Sequence, residues 1–377
     1  MRRIPVHVIS ASILSLLAIC AVIGLAFVFG EARKAEPVYP GPGVTAVRRL
    51  SEWCPALSGT AGDTDVYILD SGVPGASMLV LGGTHPNEPA GYLSAIMLIE
   101  YCRPRCGILY VIPRANNSAF SCTDPLEAAP MTFEIETQNG KRVFRFGSRA
   151  TNPVDQWPDS EEYVHASSGQ ILSGSETRNL NRAYPGREDG TLTEKVAFGI
   201  TQLIRSEGID ITADLHEASP EYTTVNAVVA HEDAFGLALL MMWDVEENFR
   251  ISLEESPKNL HGLTHRELGD YTDTMAVLME TANPSQGRLH GKIDGDLVVS
   301  GRDEYYVRAS SYGAVTVPYG EEGINISERC ARHITALVSM AGMYAFAGPG
   351  EELDLGDMPA YGEIIANGIG YYLHDPV

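Results

Sequence analysis

The chain has 377 residues, 44% of them hydrophobic, with 49 acidic against 27 basic side chains and a formal net charge of −22. That length and apolar content supply a substantial core and exclude a globally disordered chain. The acidic balance argues against a nucleic-acid partner, since phosphate binding needs a lysine and arginine surplus, and is read as a solubility feature.

Taken in order, the chain opens with Arg2 and Arg3, then residues 4–29 without one Asp, Glu, Lys or Arg. A membrane-spanning helix takes about 20 apolar residues, whereas a cleaved signal has a shorter apolar core. Residues 1–30 are therefore read as an N-terminal membrane anchor, with secretion after signal cleavage as the alternative. Arg2 and Arg3 on one side against Arg33 and Lys34 on the other lean slightly towards an extracytoplasmic catalytic domain. Cys20 is then a membrane-buried thiol. The other five cysteines are Cys54, Cys102, Cys106, Cys122 and Cys330, an odd number, so at least one is unpaired within the chain. A disulfide within Cys102 and Cys106, or from them to Cys54 or Cys122, is open; buried structural thiols are the plainer reading.

Residues 31–59 read as a Pro/Gly-rich linker and lead-in. A main domain is expected over 60–347. Strands are predicted at 66–69 and 77–81, a helix at 90–101 and a strand at 107–112, which stops at Pro113. This β-α-β order predicts a parallel sheet with right-handed crossovers. Residues 114–178 form a long polar insertion with one strand-like piece at 142–146; loops of that length usually serve as lids or binding loops. A helix capped by Thr193 follows to residue 206. The strand at 209–215 delivers His216, a further strand spans 225–230, and a helix spans 233–246. Met275-Ala276-Val277-Leu278-Met279 is a strand that delivers Glu280. Residues 294–319 read as a β-hairpin insertion, Ser327 as the cap of a long helix over 328–346, and 348–377 as an acidic, partly ordered tail. The fold class is α/β, a mixed, mostly parallel sheet with helices on both faces, preceded by a transmembrane helix.

Chemistry gathers at strand ends. Gly82-Gly83-Thr84-His85-Pro86-Asn87-Glu88 follows an apolar strand and sets an imidazole and a carboxylate three residues apart. His216 and Glu280 also lie just after predicted strands, and in an open parallel α/β sheet those ends line one crevice. His85, Glu88 and His216 would form the ligand set of a catalytic Zn²⁺ site with an open fourth position. Glu280 is the candidate general base. Arg182 and Arg178 are candidates to bind a substrate carboxylate or a developing oxyanion. Asp214 is a candidate to orient an imidazole. His265, which falls between the third ligand and the base, and His231 are further cleft candidates, as are Tyr222 and Tyr271.

These pieces, with Asn181-Arg182-Ala183-Tyr184-Pro185-Gly186, Asp214-Leu215-His216 and Met279-Glu280-Thr281 in that order, make the chain resemble the zinc carboxypeptidase superfamily. The resemblance is greater to its succinylglutamate desuccinylase/aspartoacylase branch. It implies one zinc ion on His85, Glu88 and His216, Glu280 as general base, and Asn181 with Arg182 on a substrate carboxylate. For a further oxyanion arginine, Arg178, Arg149 and Arg114 are alternatives. The expected activity is hydrolysis of an amide bond in a small molecule or short peptide bearing a carboxylate, by a deacylase acting on N-acyl amino acids. The alternatives are a metallocarboxypeptidase, acting on cell-wall peptides among others, and an anchored binding protein without turnover.

Overall fold

The computed structural model describes residues 5–124, 126–348 and 350–376, which fall into two units divided after Glu36. The first unit contains helix α1 (Val6–Ala32), none of whose residues is buried. At 1.5 Å per residue its 27 residues extend about 40 Å, more than the roughly 30 Å of a bilayer's hydrocarbon layer. By length and composition it is long enough to cross a membrane, a test that a signal sequence also passes.

The second unit is built on an eight-stranded sheet. Its strands are β1 (Ala46–Arg49), β2 (Asp65–Asp70), β3 (Ser77–Leu81), β4 (Ile108–Ile112), β9 (Ile211–Ala218), β10 (Ala227–Ala230), β11 (Ser252–Glu255) and β12 (Met275–Ala282). The order across the sheet is β1-β2-β4-β3-β9-β12-β10-β11. Parallel pairing joins β4, β3, β9 and β12 in the centre, and β10 to β11. The other neighbours are antiparallel, so the sheet is mixed and mostly parallel, as the β-α-β order predicts.

Alternation along the central strands fixes the two layers. Met78 and Val80 of β3 enter one core with helices α2 (Pro89–Tyr101) and α8 (Ile326–Ala347). Leu79 and Leu81 enter the other with α3 (Leu192–Glu207). Covered on both faces, β3 and β9 are buried along their whole length; β3 is an apolar run after Ser77, whereas β9 buries Thr212, Asp214, His216 and Glu217 among its apolar residues. Helix α2 is buried on nearly all sides, between the sheet and α8. On β9, Ile211, Ala213 and Leu215 face the α2 core; Asp214 and His216 therefore face the other side.

The structure revises several boundaries. Helix α3 is capped by Thr191, not Thr193, because Thr191 and Glu194 form a reciprocal capping box. Helix α8 is capped by Asn325, whose Oδ1 accepts from Ser327 N at 2.8 Å; the Ser327 hydroxyl instead accepts from Ile369 N. The predicted hairpin at 294–319 is two short helices, α6 (Gly295–Ser300) and α7 (Glu304–Ser311). Asp294 and Asp303 cap them, and the turn they start converts the alternation at 305–307 into a helical face with Tyr306 buried.

The lead-in and the tail also pack. Of residues 31–59, those from Pro37 onward belong to the second unit, with β1 paired to β2 and Leu50, Cys54 and Leu57 buried. In the tail, Leu353, Leu355, Ile364 and Ile369 join the main core and α9 (Tyr361–Asn367) forms, because its acidic residues are interspersed with well-spaced apolar ones. Within the 114–178 insertion, β5 (Thr132–Thr137) pairs with β6 (Gly140–Arg145), and β7 (Glu162–Val164) with β8 (Ile171–Ser173). A buried ion pair joins this insertion to both ends of the unit. Arg142 Nη1 donates to Glu100 Oε2 at 2.7 Å and Arg142 Nη2 to Pro37 O at 2.7 Å. Glu100 also accepts from Tyr39 N (3.1 Å) and His374 N (2.7 Å), and the Tyr39 and His374 rings stack at 4.3 Å. All six cysteines are free thiols.

Candidate metal centre

Three of the predicted residues meet. Gly83 turns the chain after β3 with φ +67°, which a side chain would strain, and brings His85 over the strand end. Glu88 stands at the N-terminus of α2, immediately before Pro89. His216 comes from β9. One ligand atom from each of the three lies within 4.8 Å of the others, and all three residues are buried. The imidazoles meet edge to face, with ring centroids 4.7 Å apart.

Hydrogen bonding fixes how they point. His85 Nδ1 lies 2.8 Å from Glu88 Oε1, and its Nε2 lies 2.8 Å from Asn179 Oδ1. His216 Nδ1 lies 2.8 Å from Glu88 Oε2, and its Nε2 lies 2.8 Å from Asp214 Oδ2. Asn179 Oδ1 is held as an acceptor, because it takes Asn181 N at 3.1 Å while its amide donates to Glu176. Asp214 is fully buried and also accepts from the hydroxyls of Thr84 (2.7 Å) and Thr264 (2.8 Å).

The charge states follow from burial and neighbours. Burial, then the Arg149 cation, lowers the His85 pKa to about 4, against the pull of Glu88, so its ring is neutral. Burial opposes charge on His216, but Asp214 and Glu88 overcome it and raise that pKa well above the usual value. Burial likewise opposes ionisation of Glu88, and the two imidazoles overcome it. A neutral imidazole has one N–H, yet both nitrogens of His85 face acceptors. Arg149 Nη1 stands 3.4 Å from both Nδ1 and Glu88 Oε1, so a cationic donor already faces this contact from the open side. Two imidazole nitrogens and a carboxylate, each outer nitrogen held by a further acceptor, form a donor set that fits a borderline divalent ion.

Glu280 sits on β12 directly opposite His216 in the parallel register, so the two side chains leave the sheet on one face. Its Oε2 is buried without a hydrogen-bond partner. Burial, and after it the nearby Glu88 charge, raise the pKa to about 8, while His216 and Arg149 pull the other way. A cavity of about 650 Å³ opens beside these residues and is lined also by Asn181, Arg182, Arg149 and His265. Arg182 is mostly buried, donates to Asn181 O at 2.6 Å and has its pKa lowered by burial and by Arg149. Asn181 Oδ1 accepts from Thr264 N at 2.9 Å.

Arg178 does not join them. It makes two bonds to Asp159, at 2.7 and 2.9 Å, and a third to Thr151 O, and it is not part of the cavity lining. Arg149 takes that place: its Nη1 lies 3.4 Å from both Glu88 Oε1 and His85 Nδ1, and its side chain is 45% exposed. His231 and Tyr271 lie outside the lining, where His231 contacts Asp270; Tyr222 lies within it. Asn179 carried no signal in the sequence beyond its place two residues before Asn181. Glu254 and Glu255, which line the same cavity, carried none.

No protein-family model matches the chain, and no curated protein matches it. Solved structures match it in part, at low identity and with TM-scores of 0.34 to 0.43. A succinylglutamate desuccinylase from Silicibacter is 17% identical over 68% of this chain and 66% of its own, with a TM-score of 0.38. A succinylglutamate desuccinylase/aspartoacylase from Rhodobacter sphaeroides is 16% identical over 58% and 51%, with a TM-score of 0.34. A metallo-carboxypeptidase from Burkholderia cenocepacia is 11% identical over 84% and 67%, with a TM-score of 0.43. The chain thus spans about half to two thirds of the length of these structures.

Proposed function

We propose that this chain is a zinc-dependent hydrolase of amide bonds, held at a membrane by α1 with its catalytic domain on the extracytoplasmic side. The observation that carries the reading is the convergence of buried His85 and His216 on the Glu88 carboxylate, with one ligand atom from each of the three within 4.8 Å of the others. His85, Glu88 and His216 would hold the ion, which when bound supplies Lewis-acid activation of water and of an acyl carbonyl.

The remaining chemistry belongs to the chain. Glu280, with an unpartnered buried oxygen on the same face as His216, takes the proton of the attacking water. It then returns that proton to the leaving amine as general acid. Arg182, desolvated and next to Asn181, binds the substrate carboxylate, since a buried guanidinium gains most from an anionic partner. Arg149 is exposed enough to turn from Glu88 towards the charge that develops on the acyl oxygen. Water is restricted by the burial of all three ion-holding side chains.

An N-acyl amino acid fits this arrangement, with its carboxylate on Arg182. A second reading, a carboxypeptidase acting on peptides, is favoured by the layout of the cavity beyond the base. In the sheet register Leu278 faces Val229, and Val229 faces Glu254, all three lining the cavity. With strands about 4.8 Å apart, Glu254 lies on the order of 10 Å across the sheet from β12. That distance suits a longer substrate with a distant cationic group. Zinc-loaded full-length protein in detergent, assayed against N-succinyl and N-acetyl amino acids and short L- and D-peptides, tests both readings. Turnover of one class, abolished by chelation and by Glu280→Gln, is expected. Stoichiometric zinc with no turnover across the panel would favour the binding-protein alternative.

A further inference from the structure

The metal-facing surface of β9 is backed by a charged network on its other face. Successive residues of a strand point to opposite sides, so Glu217 leaves β9 away from His216 and towards α2 and α8. It is buried, and its carboxylate is fully engaged. Glu217 Oε2 accepts from Ala90 N at 2.8 Å and Asn283 Nδ2 at 3.1 Å, and Oε1 accepts from Arg329 Nη1 at 2.7 Å. Both members of the Glu217–Arg329 pair have no exposed side-chain surface. Arg329 Nη2 donates onward to Val298 O, which ties α8 to α6.

The network reaches the ion-holding residues at one point. Ala90 is the first residue of α2 able to donate, because Pro89 has no N–H. Glu217 therefore caps the helix on whose N-terminus Glu88 stands. The same residue's backbone N–H donates to Glu88 Oε2 at 3.0 Å. Glu88 is thus located twice by Glu217, once through the helix and once through its own carboxylate. Gly91 allows the approach, since a Cβ there would strike Leu215 O of β9.

We propose that Glu217, Arg329 and Asn283 are positioning residues for the ion site: they fix the start of α2 against β9 and so set the Glu88 carboxylate against the two imidazoles. A fully buried pair is costly to form and often replaceable by apolar residues where only stability is at stake. Here the pair lies between the element carrying Glu88 and the element carrying His216. The inference rests on the zinc reading of the site.

The test is zinc affinity, measured on full-length protein in detergent by competition with a chromophoric chelator, with thermal unfolding of the metal-free protein alongside. Arg329→Met and Asn283→Ala are expected to weaken zinc binding by about tenfold to a hundredfold, the loss seen when outer-shell partners are removed. Arg329→Lys should recover part of that loss, and it serves as the test if Arg329→Met does not fold. Variants that unfold at lower temperature yet bind zinc as tightly as wild type would overturn the proposal and leave the pair a structural one. Wild-type protein that binds no zinc, with His85→Ala indistinguishable from it, would remove the zinc reading and the inference together.

Discussion

Asp214→Asn tests the proposed ion site through a residue outside the His85, Glu88 and His216 set. Asp214 accepts three bonds, from His216 Nε2 and from the hydroxyls of Thr84 and Thr264, with no solvent to replace them. An asparagine oxygen can still receive the His216 N–H, and the threonine hydroxyls can rotate to meet its amide. The variant therefore keeps the orientation of the ring but removes the charge that makes it basic. Loss of an outer-shell carboxylate of this kind weakens metal binding about tenfold to a hundredfold, roughly 1.4 to 2.7 kcal/mol. Asp214→Asn should fall near the lower figure. Asp214→Ala, which leaves all three donors without an acceptor, should fall near the upper.

A second effect runs the other way and gives the test its sharpness. In metal-free protein Asp214 and Glu88 together raise the His216 pKa, so zinc must displace a proton and its affinity falls as pH falls. Removing one of those two charges reduces the competition. The log of zinc affinity should then depend less steeply on pH in Asp214→Asn than in wild type between pH 6 and 8. Chelator competition across that range measures both quantities. An affinity within twofold of wild type, with an unchanged slope, would refute the role given to Asp214.

Other consequences can be checked directly. Glu280→Gln should keep full zinc content by elemental analysis while kcat falls by about 10²–10⁴-fold, the usual contribution of general base catalysis; retained turnover would remove Glu280 from the mechanism. Arg142→Met leaves Glu100 buried without its cation and should destabilise the protein by about 3–5 kcal/mol in urea unfolding. A loss below 1 kcal/mol would mean that the two backbone donors on Glu100 suffice. Burial, reinforced by the His216 charge, lowers the His333 pKa to about 3, so this ring stays neutral in the folded state while the unfolded chain takes up its proton below about pH 6.5. Stability should therefore fall as pH drops from 6.5 towards 3, with His333 contributing roughly 2 kcal/mol of the loss by pH 5. His333→Gln should flatten that dependence in urea midpoints, and an unaltered dependence would assign it to other groups.

The sheet was legible because β3 and β12 carry apolar runs, while β9 alternates Ile211, Ala213 and Leu215 with polar residues before it reaches His216. His85, Glu88, His216 and Glu280 were legible for the same reason, as the residues that end or closely follow those runs. Arg149 was harder to choose over Arg178, since both lie in a stretch without periodicity. What separates them is Asp159, nineteen residues from Arg178 in sequence and bonded to it in space. Glu217 gave no signal because its partners come from α2, α8 and the segment after β12, so its role exists only once the layers are assembled. The misread 294–319 segment shows local chemistry overriding alternation: Asp303 receives two backbone N–H groups, and a helical turn begins where a strand was expected.

The Glu100–Arg142 pair has a topological consequence. Pro37 and Tyr39 at one end of the second unit and His374 at the other are bonded to the same two side chains, and two of their rings are stacked. The chain therefore leaves this unit where it enters it, and the polypeptide between is a ring missing only one short link. A peptide joining residue 376 to residue 37, with new ends opened in the exposed turn at 166–169, would leave every strand of the large sheet its present neighbours.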